Sequence, residues 1–185
     1  MLLKHKLKWF RIGTMGDPCH DWDLTLRICR ELHEIRIPVI VTKHWAQIPS
    51  DKIKELIKYN VIVNTSISPL DDKFELKYRL NEFLKLKILG VKSVLRIVSC
   101  KFGETYNGLK LKEIQEDLFR NYPTIDNPLR ISKNNHLVLD GDVLVEKRKD
   151  LNSFVNVSMY NDKTYIGHCD KCPDQCGVNF YKEAV

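Results

Sequence analysis

Through its first 122 residues the chain keeps repeating one alternation, a short continuous apolar run followed by an amphipathic stretch. The runs are "KWFRIGT", "PVIVTK", "VIVNTSIS" and "VKSVLRIVSC". The stretches that follow them are "DWDLTLRICRELHEI", "SDKIKELIKYN", "DKFELKYRLNEFLKLKILG" and "LKLKEIQEDLFRN". Apolar runs without a polar alternation suit strands buried on both faces, and the helices between them cover those faces, so the pattern predicts a parallel α/β sheet. Local signals place the helix ends. Asp21 or Asp23 is positioned to cap the first helix, with Leu24, Ile28 and Leu32 on its apolar face, and Ser50 to cap the second. Asp72 and Glu75 have capping-box spacing at the start of the third, which Gly90 ends, and Leu111, Ile114 and Leu118 form a stripe on the fourth.

After residue 122 the pattern changes. "HLVLDGDVLVEKR" and "FVNVSMYNDKTYIGHC" read as short strands with turns at Asp140-Gly141 and Asn161-Asp162. The expected organisation is therefore a β/α domain over 1–122 and a β-rich, cysteine-containing segment over 123–185.

A hydrophobic share of 43%, with three Trp, seven Tyr and seven Phe, is sufficient for a packed core. No apolar run reaches the roughly 18 residues of a membrane-spanning helix, and the start has no signal-peptide pattern, so a cytoplasmic protein is expected. The net charge of +6 is compatible with nucleic acid as a partner, but lysines that only solvate outer helix faces account for it more simply.

Polar residues gather where the strands end, which is where parallel α/β sheets bind ligands. The first end reads "GTMGDPCH"; the second carries Thr42, Lys43, His44 and Trp45; the third Asn64, Thr65, Ser66 and Ser68; the fourth Arg96, Ser99 and Cys100. A lysine or asparagine following "VIV" in a buried strand needs a partner to offset its burial. Together these side chains suit a zwitterionic or hydroxyl-rich small molecule.

"FRIGTMGDP", "VIVTKHW", "VIVNTSISPLDD" and "SVLRIVSC", in that order, resemble radical S-adenosylmethionine enzymes, specifically the spore photoproduct lyase-like branch, over about residues 9–100. The resemblance implies a partial parallel β/α barrel of about four βα units, a [4Fe–4S] cluster and S-adenosylmethionine as cofactor. It implies cofactor contacts from Gly13, Thr14, Gly16 and Asp17, with Asp17 as the acidic partner of the amino group. Lys43 would pair with the carboxylate, Ser66 and Asn64 would meet the ribose and methionine, and Arg96 and Ser99 would line the next position. The family's Cx3Cx2C cluster loop, which precedes the "RIGT" strand, has no counterpart here. The expectation is thus a truncated or split radical-type chain, completed by a partner that supplies the first strand and the cluster, and acting on nucleic acid as the lyase does.

The tail "HCDKCPDQCG" spaces its thiols as Cys169-x2-Cys172-x3-Cys176. Two thiolates at Cx2C spacing can share one ion across a tight turn. With Cys100 or His168 as fourth ligand, the set is a candidate accessory iron–sulfur or zinc site. Zinc belongs to the alternative expectation, a non-catalytic metal-stabilised module that binds nucleic acid or a protein. Cys29 is expected in the core. Cys19 is either a capping-loop residue or a hydrogen donor to a substrate radical.

Overall fold

The computed structural model describes residues 7–151 and 153–181. The chain is a mixed α/β protein whose described residues form strands β1 (Trp9–Ile12), β2 (Ile37–Thr42), β3 (Ile62–Ile67), β4 (Lys92–Ser99), β5 (Lys101–Phe102), β6 (Thr124–Arg130), β7 (Val143–Leu144), β8 (Glu146–Lys149) and β9 (Phe154–Ser158). The helices are α1 (Trp22–Leu32), α2 (Ser50–Lys58), α3 (Lys73–Ile88), α4 (Tyr106–Asn121) and α5 (His136–Leu139). Residue contacts divide it into two units. One comprises Met1–Ser66, Lys77–Leu95 and Asp174–Val185; the other comprises Ile67–Leu76 and Arg96–Pro173.

In the first unit the strand order is β1-β2-β3-β4, with the first half of β4. β1 runs parallel to β2 with Trp9 opposite Ile37, and β2 runs parallel to β3 with Val39 opposite Ile62. This register brings the carboxyl ends of the three strands to one side. Among the described residues β1 pairs with β2 alone, at the end of the order. The core gathers Trp22, Leu26 and Cys29 of α1, Ile40 and Val63 of the sheet, Ile53 and Leu56 of α2, and Leu86 of α3.

Two of the sequence expectations for helices change. The α1 face that packs inward is Trp22, Thr25, Leu26 and Cys29, whereas Leu24 is 42% exposed. Both stripes have helical spacing; the one that carries the indole and the small Thr and Cys fits against the sheet. Asp21 is the α1 cap, accepting the Leu24 amide at 2.8 Å. In α2 the cap position belongs to Pro49, and Ser50 is already inside the first turn with no side-chain cap in place. The α3 start is as expected, since Asp72 Oδ1 accepts the amides of Phe74 and Glu75 at 2.8 and 2.9 Å. Its end turns at Gly90, φ +84°, where the Val91 amide bonds back to the Leu86 carbonyl at 3.0 Å.

In the second unit the order is β4-β6-β9-β8, with β6–β9 and β8–β9 antiparallel and β5–β7 forming a separate antiparallel pair. β6 was not legible as a strand, because Asp126, Asn127 and Pro128 interrupt its apolar pattern. "HLVL", expected extended, is instead the helical turn α5, capped by Asn135 Oδ1 on the Leu137 amide. Phe119 of α4 stacks on Tyr160 at 4.6 Å between ring centroids. Among the described residues no helix is long and apolar enough to cross a membrane.

Candidate functional site

β1 ends at Ile12, and Gly13 follows with φ +106°. A Cβ at Gly13 would overlap the Val41 carbonyl oxygen, so glycine lets the chain pass against β2. Thr14 and Gly16 lie on the exposed loop beyond it. Asp17 then caps the 3-10 turn Pro18–His20. Its Oδ1 accepts the Cys19 amide at 3.0 Å and the Thr42 hydroxyl at 2.6 Å, and its Oδ2 accepts the Lys43 amide at 2.6 Å. Burial raises the Asp17 pKa, but these donors more than offset it, led by the Thr42 hydroxyl, and hold the carboxyl below its ordinary value. Both oxygens of the expected amino-group partner thus accept hydrogen bonds that fasten the first strand end to the second.

The fastening continues through Thr42, whose hydroxyl accepts the His44 amide at 2.9 Å. His44 has φ +54° and no exposed surface. Its Nε2 meets the Thr65 hydroxyl at 2.9 Å, while Nδ1 is buried without a hydrogen-bond partner. Burial pushes the His44 pKa down to about 4; the Asp17 charge opposes this, and Arg79 and Lys85 add to it. The imidazole is therefore neutral near pH 7.

Arg79 of α3, 1% exposed, donates from Nε to the Lys43 carbonyl at 2.9 Å, and its guanidinium lies 4.6 Å from the Trp45 ring centroid. The Lys43 ammonium approaches the same ring at 5.7 Å. Glu82, one turn on, accepts from Gln47 Nε2 at 3.3 Å. Sequence reasoning missed Arg79 and Glu82. The available signal was that these two charged residues share the Phe83 and Leu86 face of α3, the apolar stripe by spacing.

Strand parity sorts β3. Thr65 faces His44, and Asn64 and Ser66, both buried, face the opposite side. Asn64 has no exposed surface; its Nδ2 donates to the Cys176 carbonyl at 3.0 Å, and its Oδ1 has no partner. Cys19 is a core residue at 2% exposure whose sulfur accepts the Ala46 amide at 3.4 Å. Burial, and then Asp17, raise its pKa, so it stays a thiol in the turn it anchors. Cys29 is buried in α1, its thiol pushed up to about 12.

The remaining expected residues belong to the second unit. Arg96 donates to Asn127 Oδ1 at 2.6 Å. Ser99 is fully buried and its hydroxyl lacks a partner. Cys100 is clasped by Gln115, which accepts the Cys100 amide at 2.8 Å and donates to its carbonyl at 2.9 Å. Burial and the nearby Asp126 push the Cys100 thiol up to about 12. Gln115 is a further residue that sequence reasoning did not single out.

The three tail cysteines lie in different surroundings. Cys169 is exposed in a 3-10 turn, and Cys172 is half-buried at the end of that turn. Cys176 is buried in the first unit, and among the described residues no cysteine is in a disulfide. The His168 carbonyl accepts the Tyr165 hydroxyl at 2.8 Å. Among the described residues no three His, Cys, Asp or Glu side chains are grouped to hold an ion. Close spacing in sequence brings thiols together only if the backbone turns them to one point. No family model matches the chain, and neither a curated protein nor a solved structure matches it.

Proposed function

We propose that the first unit is a partial β/α barrel that binds a small polar ligand of the S-adenosylmethionine kind along the carboxyl half of β3. The observation that supports this most is Asn64, a carboxamide with no exposed surface whose oxygen has no hydrogen-bond partner among the described residues. A buried, unsatisfied acceptor costs about 1–3 kcal/mol, and an amino or hydroxyl group of a ligand would relieve that cost. Ser66, on the same face of the strand, offers a second polar contact. Lys43 is the cation for a ligand carboxylate, at a strand end that Asp17 and Arg79 fix through its amide and carbonyl. In this reading Asp17 is a positioning residue.

Bound S-adenosylmethionine supplies a sulfonium centre; the residues of this chain bind and orient it. No radical step is assigned to the chain. Equilibrium dialysis with labelled S-adenosylmethionine tests the reading. Binding by the wild type that weakens about tenfold in Lys43→Ala, a loss of roughly 1.4 kcal/mol, supports it. Absence of binding, or equal binding by both proteins, ends it.

A further inference from the structure

Asp174–Val185 belongs to the first unit, far in sequence from the strands it joins. Hydrogen bonds tie it down at two places. The Cys176 carbonyl takes the Asn64 Nδ2 proton at 3.0 Å, and the Tyr181 hydroxyl donates to the Ser93 carbonyl of β4 at 2.6 Å. Cys176, Gly177 and Val178 are buried between these anchors. The backbone there is left-handed at three successive residues, Gln175 (φ +43°), Cys176 (φ +52°) and Gly177 (φ +89°). Only the last is a glycine, so two side-chain-bearing residues are held in a conformation they disfavour.

We propose that residues 174–181 are a strap that masks the Asn64 face of β3, so that a ligand reaches Asn64 only when the strap lifts. The strap uses the donor half of the carboxamide and leaves the acceptor half unsatisfied, which makes it an incomplete partner for this site. The strained backbone at Gln175 and Cys176 favours release, and the anchors at Asn64 and Ser93 oppose it. Strap and ligand compete for one side chain, and the apparent ligand affinity is reduced by the fraction of molecules in which the strap is closed. The identity of the ligand rests on the S-adenosylmethionine reading above; the strap does not.

Two substitutions outside the ligand site move the strap in opposite directions. Tyr181→Phe removes the Ser93 anchor and keeps the ring, while Gln175→Gly removes the strain at one left-handed residue and tightens the closed form. Iodoacetamide labelling of Cys176 in the full-length protein, followed by peptide mass spectrometry, reads strap opening without any ligand. Tyr181→Phe should raise the labelling rate roughly threefold to tenfold, the worth of one hydrogen bond, and Gln175→Gly should lower it. The apparent Kd for S-adenosylmethionine should fall in Tyr181→Phe and rise in Gln175→Gly. Unchanged Cys176 labelling in both variants overturns the strap. Altered labelling with an unchanged Kd overturns the competition. Altered labelling with no S-adenosylmethionine bound by any of the three proteins overturns the cofactor reading and leaves the strap demonstrated.

Discussion

Asp17 and Lys43 are joined through the backbone: Oδ2 of the carboxylate accepts the Lys43 amide hydrogen at 2.6 Å, so the loop after β1 is fastened to the end of β2. Thr42 and Cys19 donate to the other oxygen. The acidic residue that the sequence offers as a ligand contact also fastens these two strand ends.

Replacing Asp17 with Asn removes the charge and turns an amide donor toward a donor. Hydrogen bonds to a charged acceptor are worth about 1.5–3 kcal/mol, so Asp17→Asn should lose about 2–3 kcal/mol at pH 7, read from urea midpoints. The folded pKa lies below 3.8, the unfolded value. Stability from this group is complete above the unfolded pKa and is lost as pH falls through the folded one. Wild type should therefore weaken below about pH 4 more steeply than the variant. Parallel pH curves would remove the assignment.

His44 has the opposite charge type and its own pH window. Its folded pKa of about 4 lies below the ordinary 6.5, so the unfolded chain binds the proton first. Its contribution is full above pH 6.5 and disappears as pH falls toward 4. A shift of this size corresponds to roughly 3 to 3.5 kcal/mol. Chemical denaturation of wild type and His44→Gln across that range should show the loss in wild type and a flatter curve in the variant. A wild-type curve level from pH 6.5 to 4 contradicts a buried neutral imidazole.

The two glycines of "GTMGDP" should separate. Gly13 is left-handed and its added Cβ would meet the Val41 carbonyl, whereas nothing lies within 4 Å of a Cβ at Gly16. Gly13→Ala is expected to cost about 3 kcal/mol, from backbone strain and overlap together. Gly16→Ala should stay within about 0.5 kcal/mol of wild type. Thermal melts of the pair decide the matter, and equal losses would mean that the loop has another conformation.

Gln115 in the second unit has no exposed surface and satisfies both backbone groups of Cys100. Gln115→Leu keeps much of the volume and strands a buried N–H and C=O together. The expected loss is about 2–4 kcal/mol, again from urea midpoints. A loss under about 0.5 kcal/mol, the range of an ordinary surface change, would show that water or a rearranged backbone replaces the glutamine.

The sequence by itself determined the order of elements up to α4, apart from the two-residue β5, because continuous apolar runs and helical spacing are local properties, as are the caps at Asp21 and Asp72. It also located the polar strand ends, since a parallel sheet brings residues following each strand to one side. Tertiary structure decided what those residues do. Whether Asp17 meets a ligand or the Lys43 amide depends on a partner 26 positions away, and no local pattern encodes that distance. The same holds for Asn64, whose partner in the strap is 112 residues on, and for Arg79, which reads as a surface arginine until the sheet lies beneath α3. The three tail cysteines show the limit most plainly. Spacing brought them within eight residues, but the left-handed turn at Gln175–Gly177 carries Cys176 into the core of the first unit while Cys169 remains in solvent.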